Sequence, residues 1–271
     1  MALTDKLKAI ADAIRAKTGK TDQMTLDEMP TEIASITTGV GATEPYIEET
    51  YDADGNLIGA NMDGYTKMRD YAFYSCSNLA LTSLPDGITS VPDMVFYGCT
   101  NMALTSMPEG VTSIGQSAFD GCSNLALTSL PDGVTSIGSR AFYGCSNLAL
   151  TSLPDGIDSI ASNTFYGCSN IALTSLPDGV TSIGKSALNG CSNLYNISLP
   201  DVLTSILDFA FYNCTNLSTI TFKGTPSSIS SSAFKNCSNL TTINVPWAEG
   251  EVANAPWGAT NATINYNYTG E

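Results

Sequence analysis

All eight cysteines of this chain fall on one arithmetic series with a step of 23 residues. Their positions are Cys76, Cys99, Cys122, Cys145, Cys168, Cys191, Cys214 and Cys237. A fixed period of this length, sustained over eight units, predicts a solenoid in which each coil stacks on the preceding one. Such folds usually present long surfaces rather than deep pockets, so the period also favours a binding or structural role.

One well-formed unit, residues 117–139, predicts the path of a coil. We expect a short helical turn through Ala118–Phe119, and then a strand around Leu125–Leu130. A tight turn follows at 131–133, where Pro and Gly suit the first corner and the last position of a type I turn. A second short strand is predicted through Val134–Ile137. The predicted class is therefore a β-rich α/β solenoid of eight 23-residue coils.

Stacking superposes residues that are 23 apart, so each position of the unit becomes a column. The columns of Phe119, Leu125, Leu130 and Val134 are apolar, which predicts that they form the core. Neighbouring coils are spaced by roughly 4.7–4.9 Å, whereas a disulfide needs Cβ atoms about 3.5–4.5 Å apart. We therefore expect the cysteines to be buried free thiols. A straight column also cannot surround one zinc ion tetrahedrally.

An asparagine follows every cysteine by two residues. These residues are Asn78, Asn101, Asn124, Asn147, Asn170, Asn193, Asn216 and Asn239. Because a buried amide must be hydrogen-bonded, we interpret the column as a structural ladder that bridges the backbones of adjacent coils.

A one-residue shift separates the first five units from the last three. The last three place an apolar residue three positions after the first leucine, whereas the first five place a leucine only two positions after it. Those five are Leu81, Leu104, Leu127, Leu150 and Leu173. Because one step along a strand reverses the face, they form either an exposed apolar stripe that binds a partner or an inward column produced by a bulge.

Two further columns are candidates for the surface. The residue after the core phenylalanine is tyrosine in five units, at Tyr74, Tyr97, Tyr143, Tyr166 and Tyr212. Exposed tyrosines suit stacking on sugars or contact with a protein, or they simply cover one face of the solenoid. The turn column is acidic, at Asp86, Glu109, Asp132, Asp155, Asp178 and Asp201. It is either a row of solvated turn tips or a cation site.

Composition excludes several classes of function. The formal net charge is −15, and the chain has no histidine. Nucleic-acid binding requires clustered Lys and Arg, so it is not predicted. The sequence has no run of 18 apolar residues, so membrane insertion is not predicted either. No nucleophile has a visible general base, and no phosphate-binding loop or set of metal ligands is apparent. We predict no catalytic residue, no metal and no cofactor, and hence no enzyme.

The flanking segments predict four regions. Residues 1–38 form a small α-helical module for attachment or oligomerisation, with Leu7, Ile10 and Ile14 on one face. Residues 39–70 form a linker and a β-hairpin that caps the first coil. The solenoid spans 71–254, and 255–271 form a C-terminal cap that ends in a strand. No signal peptide is visible in the first twenty residues.

The unit Ala118-Phe119, Cys122, Asn124-Leu125, followed by Leu-Pro and Ile-Gly, resembles the BspA-like leucine-rich repeat. That resemblance covers about 70–254 and implies a leucine-rich-repeat solenoid. Its members are mostly surface proteins that bind host molecules or other cells. The segment 7–19 is similar to the opening of many phage and prophage structural proteins, and 245–259 resembles the end of prophage-encoded repeat proteins.

Together these features predict a non-enzymatic binding or structural protein associated with a phage or prophage tail. Its expected partners are a host-surface protein or glycan, other virion proteins through residues 1–38, and a further copy of the chain. The expected location is the virion or prophage particle. The alternative is a bacterial surface adhesin or a free protein-interaction scaffold, located in the cytoplasm or exported by a route that the sequence does not reveal.

Overall fold

The computed structural model describes residues 48–51, 57–61 and 64–270. The predicted helical module of residues 1–38 lies outside these ranges, and so do residues 39–47 of the predicted linker. The described residues contain thirteen strands. They are β1 (Glu48–Tyr51), β2 (Leu57–Asn61), β3 (Ser90–Val91), β4 (Ser113–Ile114), β5 (Ser136–Ile137), β6 (Ser159–Ile160), β7 (Ser182–Ile183), β8 (Asn196–Leu199), β9 (Ser205–Ile206), β10 (Thr219–Phe222), β11 (Ser228–Ile229), β12 (Thr242–Asn244) and β13 (Thr263–Asn265).

The first two strands form the hairpin that the sequence predicts before the repeats. Strands β1 and β2 pair antiparallel, with Glu48 opposite Asn61. Leu57 and Ala60 are partly buried and pack against the main core. The hairpin therefore covers apolar surface that the first coil would otherwise expose to solvent.

The repeats form a parallel β-solenoid, which confirms the predicted solenoid but not its α/β class, because the described residues contain strands and no helix. In most coils a Ser-Ile or Ser-Val pair makes a two-residue strand. These strands pair in parallel at the 23-residue step, for example Ser113 with Ser136, except that β5 and β6 belong to separate sheets. The β-branched residue points inward and the serine points outward. The two sheets built from these strands have the orders β3-β4-β5 and β11-β9-β7-β6.

The strand predicted around Leu125–Leu130 is wrong for the first five coils and right for the last three. Strands β8, β10, β12 and β13 form a regular parallel sheet, whereas residues 125–130 form none. In the first five coils this segment forms one recurring backbone hydrogen bond between neighbouring coils, such as Ala126 N–H to Leu104 O at 3.0 Å. The one-residue shift in the sequence therefore marks a change from irregular extended backbone to strand.

The short helical turn predicted at Ala118–Phe119 is also wrong, because the described part of the chain contains no helix and hence none that could span a membrane. Phe119 N–H donates to Ala141 O of the next coil at 2.8 Å, whereas Asp120 N–H donates to Ser117 O at 3.2 Å. An α-helix needs consecutive right-handed residues. Ser117 has φ of 51° and Gly121 has φ of 77°, so these left-handed residues stop a helix from propagating.

Aromatic rings run through the core along the phenylalanine column. Phe73, Phe96, Phe119, Phe142 and Phe165 are buried, and successive rings are 5.4–5.7 Å apart and nearly parallel. Such contacts add to the free energy gained by burying the rings. Because the unit repeats, the same ring packing recurs from coil to coil and makes the core continuous.

Trp257 continues the phenylalanine column one step beyond Phe234 and is fully buried. Its indole N–H donates to Ala253 O at 2.8 Å, and its ring packs edge-on against Trp247. Strand β13 pairs with β12 at a step of 21 residues, with Ile243 opposite Ile264. Residues 246–265 therefore add a further, slightly shorter coil that covers the eighth unit.

Candidate binding surface

Each of the five column tyrosines directly follows a buried phenylalanine of the core, but its own side chain is partly or largely exposed. Tyr74 is 46% exposed, and the other four are half-buried. Tyr74 and Tyr97 stack with ring centroids 4.7 Å apart, and Tyr143 and Tyr166 stack at 4.5 Å. The structure therefore brings four of the five predicted tyrosines together as two stacked pairs. We call these two pairs, together with Tyr212, the tyrosine edge.

Asp120 interrupts the tyrosine edge between the two stacked pairs. Its side chain is buried, and Arg140 Nε donates to its Oδ2 at 2.8 Å. Burial raises the pKa of the Asp120 carboxyl, and the hydrogen bond and charge of Arg140 oppose that rise. The Arg140 guanidinium also lies 4.0 Å from the centre of the Tyr143 ring, a cation–π geometry. Arg140 thus forms an ion pair with Asp120 and packs against the ring face of Tyr143.

The second interruption of the tyrosine edge carries no charge. Asn189 stands between Tyr166 and Tyr212 in the column, and all three are half-buried. Phe209 packs edge-on against Tyr212, with centroids 5.6 Å apart at 86°. Tyr212 Oη in turn accepts a hydrogen bond of 2.9 Å from Asn236 Nδ2. Sequence reasoning missed Arg140 and Phe209, although each lies three residues before a column tyrosine.

The exposed alternative for the leucine stripe is wrong. Leu81, Leu104, Leu127, Leu150 and Leu173 are all buried, with at most 7% of their surface exposed. Alternation of faces applies to strands, and this segment is not a strand in the first five coils, so Leu125 and Leu127 can both point inward. These five leucines belong to the core and are not available to a partner.

The asparagine column does not form the buried ladder that the sequence suggests. Seven of its members are exposed, and Asn78 is half-buried. Asn193 Nδ2 does donate to Asn170 O at 3.3 Å, but this bond lies at the surface. The invariance of this position therefore has a different cause: each asparagine lies in a turn, where its short side chain is favoured.

The cysteines make the buried bridges between coils. In each coil from the second onward, the thiol donates to the backbone oxygen 26 residues earlier, at 3.0–3.2 Å. Burial raises the pKa of Cys99 to about 12 and raises the pKa of Cys145 well above its ordinary value. Protonated thiols of this kind are structural and poorly nucleophilic.

The acidic turn column is exposed along its whole length. Lys223 Nζ lies 3.1 Å from Asp178 Oδ1. No group of three or more acidic or cysteine side chains in the described ranges is arranged to hold a metal ion. The carboxylates of the column are in contact with solvent.

A surface depression of about 630 Å³ lies beside strands β3 to β5. Asp70 and Asp93 lie on its rim. Asp70 Oδ1 accepts the Asp93 N–H at 3.2 Å, and Asp93 Oδ1 accepts the Gln116 N–H at 2.7 Å. Both carboxylates are thus already used in hydrogen bonds between successive coils. The tyrosine edge is therefore the stronger candidate for a binding surface.

Residues 66–174 and 158–254 match the family model described as BspA type leucine rich repeat region. A solved leucine-rich repeat protein from Bacteroides ovatus is 20% identical, with a TM-score of 0.51 over 83% of this chain and 77% of that one. The leucine rich repeat protein of T. pallidum is 27% identical, with a TM-score of 0.50 over 73% of this chain and 90% of that one. No curated protein matches the chain. The family match spans more than half of the sequence, and the chain therefore belongs to the BspA type leucine-rich repeat family.

Proposed function

We propose that this chain is a non-enzymatic binding protein whose tyrosine edge recognises a protein or glycan on a host surface. The observation that carries this proposal is the row of tyrosines held outside a rigid, continuous core. Tyrosine offers a large contact area with few rotatable bonds, so little entropy is lost when it is immobilised by a ligand. Stacking within each pair restricts the rings further before any ligand arrives.

The proposed setting is the tail of a phage or prophage particle. It is supported by the resemblance of residues 7–19 and 245–259 to phage and prophage structural proteins. In this proposal residues 1–38 attach the chain to other virion proteins or to further copies of itself, and the solenoid projects the binding edge. The second candidate, a bacterial surface adhesin or interaction scaffold, is favoured by the family to which the repeats belong.

Mass spectrometry of purified particles from an induced host tests the setting. The chain should be present with the tail proteins, and its absence from intact particles would overturn the virion assignment in favour of the adhesin. Immunogold labelling should then place it at the tail.

Binding of the fluorescently labelled full chain to host cells tests the recognition surface. Replacing Tyr74 and Tyr97 with serine should weaken binding, because each stacked aromatic contact contributes about 0.5–1.5 kcal/mol. Tyr195→Ser is the matched control, because Tyr195 is exposed but lies outside the tyrosine edge. Equal binding by all variants would overturn the assignment of the edge.

A further inference from the structure

Two interruptions of the tyrosine edge are copies of one arrangement, three coils apart. The first gap consists of Tyr97, Asp120, Arg140 and Tyr143, and the second gap consists of Tyr166, Asn189, Phe209 and Tyr212. Each member of the second gap follows its counterpart by 69 residues, which is three times the 23-residue repeat. The two gaps therefore share backbone geometry and differ in two side chains, at the Asp120 and Arg140 positions.

The first gap is filled by the protein itself. The planar Arg140 guanidinium lies 4.0 Å from the centre of the Tyr143 ring and pairs with Asp120 at 2.8 Å. This occupant shows that the space between two tyrosines separated by one coil admits a flat group in contact with a ring. It also shows that the side chain at the middle position makes a polar contact with such a group.

In the second gap the counterpart of Arg140 is Phe209, which stands edge-on to Tyr212 and not flat on its ring face. One face of Tyr166 is covered by Tyr143 at 4.5 Å, so its other face is directed toward the coil of Asn189. Two coil spacings separate Tyr166 from Tyr212, roughly 9–10 Å. Two van der Waals contacts of about 3.5–4 Å leave room there for one ring. Phe209 stands edge-on to Tyr212 and adds a third aromatic surface.

The side chains of the second gap suit an uncharged ligand. The carboxylate that binds Arg140 in the first gap is replaced by the Asn189 amide, which removes the attraction for a cation. The net charge of −15 disfavours an anion. An amide both donates and accepts hydrogen bonds, which matches hydroxyl groups, and tyrosine faces match the apolar C–H face of a sugar ring.

We propose that the second gap binds one pyranose ring of a neutral glycan, stacked on Tyr166 and hydrogen-bonded to Asn189. This inference rests on the proposed function, because it names the ligand class for the tyrosine edge.

Saturation-transfer NMR on the full chain tests the inference, with the methyl glycosides of glucose, galactose and N-acetylglucosamine as probes. At least one glycoside should receive saturation at its ring C–H protons. The double variant Asn189→Asp/Phe209→Arg copies the first gap into the second and should abolish the signal. Tyr166→Ala should weaken binding by roughly tenfold, and Tyr195→Ala, at an exposed tyrosine outside the tyrosine edge, should leave it unchanged.

The converse variant, Asp120→Asn/Arg140→Phe, should create a second site and double the binding stoichiometry. The double variants use side chains that this fold already carries three coils away, and their circular dichroism should match that of the original protein. Absence of saturation transfer to all three glycosides, or an undiminished signal in the Asn189→Asp/Phe209→Arg variant, would overturn the inference. If that variant still bound host cells through the edge, the proposed function would stand without this site.

Discussion

The thiol of Cys122 donates a hydrogen bond of 3.0 Å to the backbone oxygen of Phe96 in the preceding coil. The same oxygen accepts the Cys99 N–H at 3.1 Å. One carbonyl thus joins two coils, and the same bridge recurs between successive coils along the solenoid. Cysteine suits the position because it is small, apolar and still a weak donor.

Replacing one bridging thiol should destabilise the solenoid modestly. For Cys145→Ala we expect a loss of about 1–2 kcal/mol in the free energy of unfolding, from the lost hydrogen bond and the small cavity. Urea denaturation measures the loss. Cys76→Ala is the control, because Cys76 is half-buried in the first unit and should lose less than about 0.5 kcal/mol. Equal losses in the two variants would contradict a special role for the bridges.

Alkaline pH should weaken the fold through the same thiols. Burial raises the pKa of Cys99 from 9.0 to about 12, and burial also raises the pKa values of Cys122, Cys145 and Cys191. Above pH 9 the unfolded chain releases these protons and the folded chain retains them. The unfolded state then binds fewer protons, so stability is highest below that pH and falls as pH rises.

The measurement is the free energy of unfolding between pH 8 and pH 11, by urea denaturation at each pH. The Cys145→Ala variant is the control, because its alkaline slope should be smaller by about one proton at most. A flat profile, or a slope that does not change in the variant, would show that the thiols are not responsible.

Much of the fold follows from the sequence because a fixed period identifies which residues stack. Phe119 and Leu125 could be assigned to the core since their columns stay apolar. The orientation of Leu127 could not be decided, because alternation of faces holds only in strands. Asn124 is exposed although its column is invariant, since recurrence in a turn looks the same in sequence as recurrence in a core. The thiol donor of Cys122 depends on side-chain direction, which periodicity does not specify.

Part of the candidate site could also be predicted from the sequence. The column tyrosines are visible as a surface column because their position varies to Asp120, Asn189 and Lys235. The role of Arg140 could not be predicted, because the residues at 23-residue steps from it have unrelated side chains and give no periodic signal. Only the contacts with Asp120 and Tyr143 show that these three residues act together.

Gly224 should not tolerate a side chain. A Cβ at this position would overlap with the carbonyl of Asp201 in the preceding coil and lie 2.6 Å from its Cα. Gly224→Ala should therefore lower the free energy of unfolding by about 1–3 kcal/mol, the usual cost of overpacking. Gly133→Ala is the control, because the nearest atom to its Cβ would be Val111 O at 3.7 Å. Thermal unfolding should show a lower midpoint for the first variant only.

Ser75 carries avoidable backbone strain. Its φ is 59°, and the equivalent position in the next five coils is glycine, for example Gly98 with φ of 72°. A left-handed conformation costs an L-residue about 1–2 kcal/mol, so Ser75→Gly should raise the free energy of unfolding by about 0.5–1 kcal/mol. Ser77→Gly, two residues on and without a positive φ, should lower it. A destabilised Ser75→Gly would mean that its side chain contributes more than its strain costs.

Deletion of one whole unit tests whether the solenoid is stabilised by contacts between neighbouring coils. Removing residues 94–116 joins Asp93 to Ser117 and leaves every column aligned at the 23-residue step. Because each coil contacts mainly its neighbours, the shortened protein should remain soluble, with unchanged circular dichroism per residue. Removing only residues 94–105 should instead give an insoluble product, since every later column would be out of register. Size-exclusion chromatography and circular dichroism distinguish the two, and insolubility of the whole-unit deletion would show that the coils depend on more than their nearest neighbours.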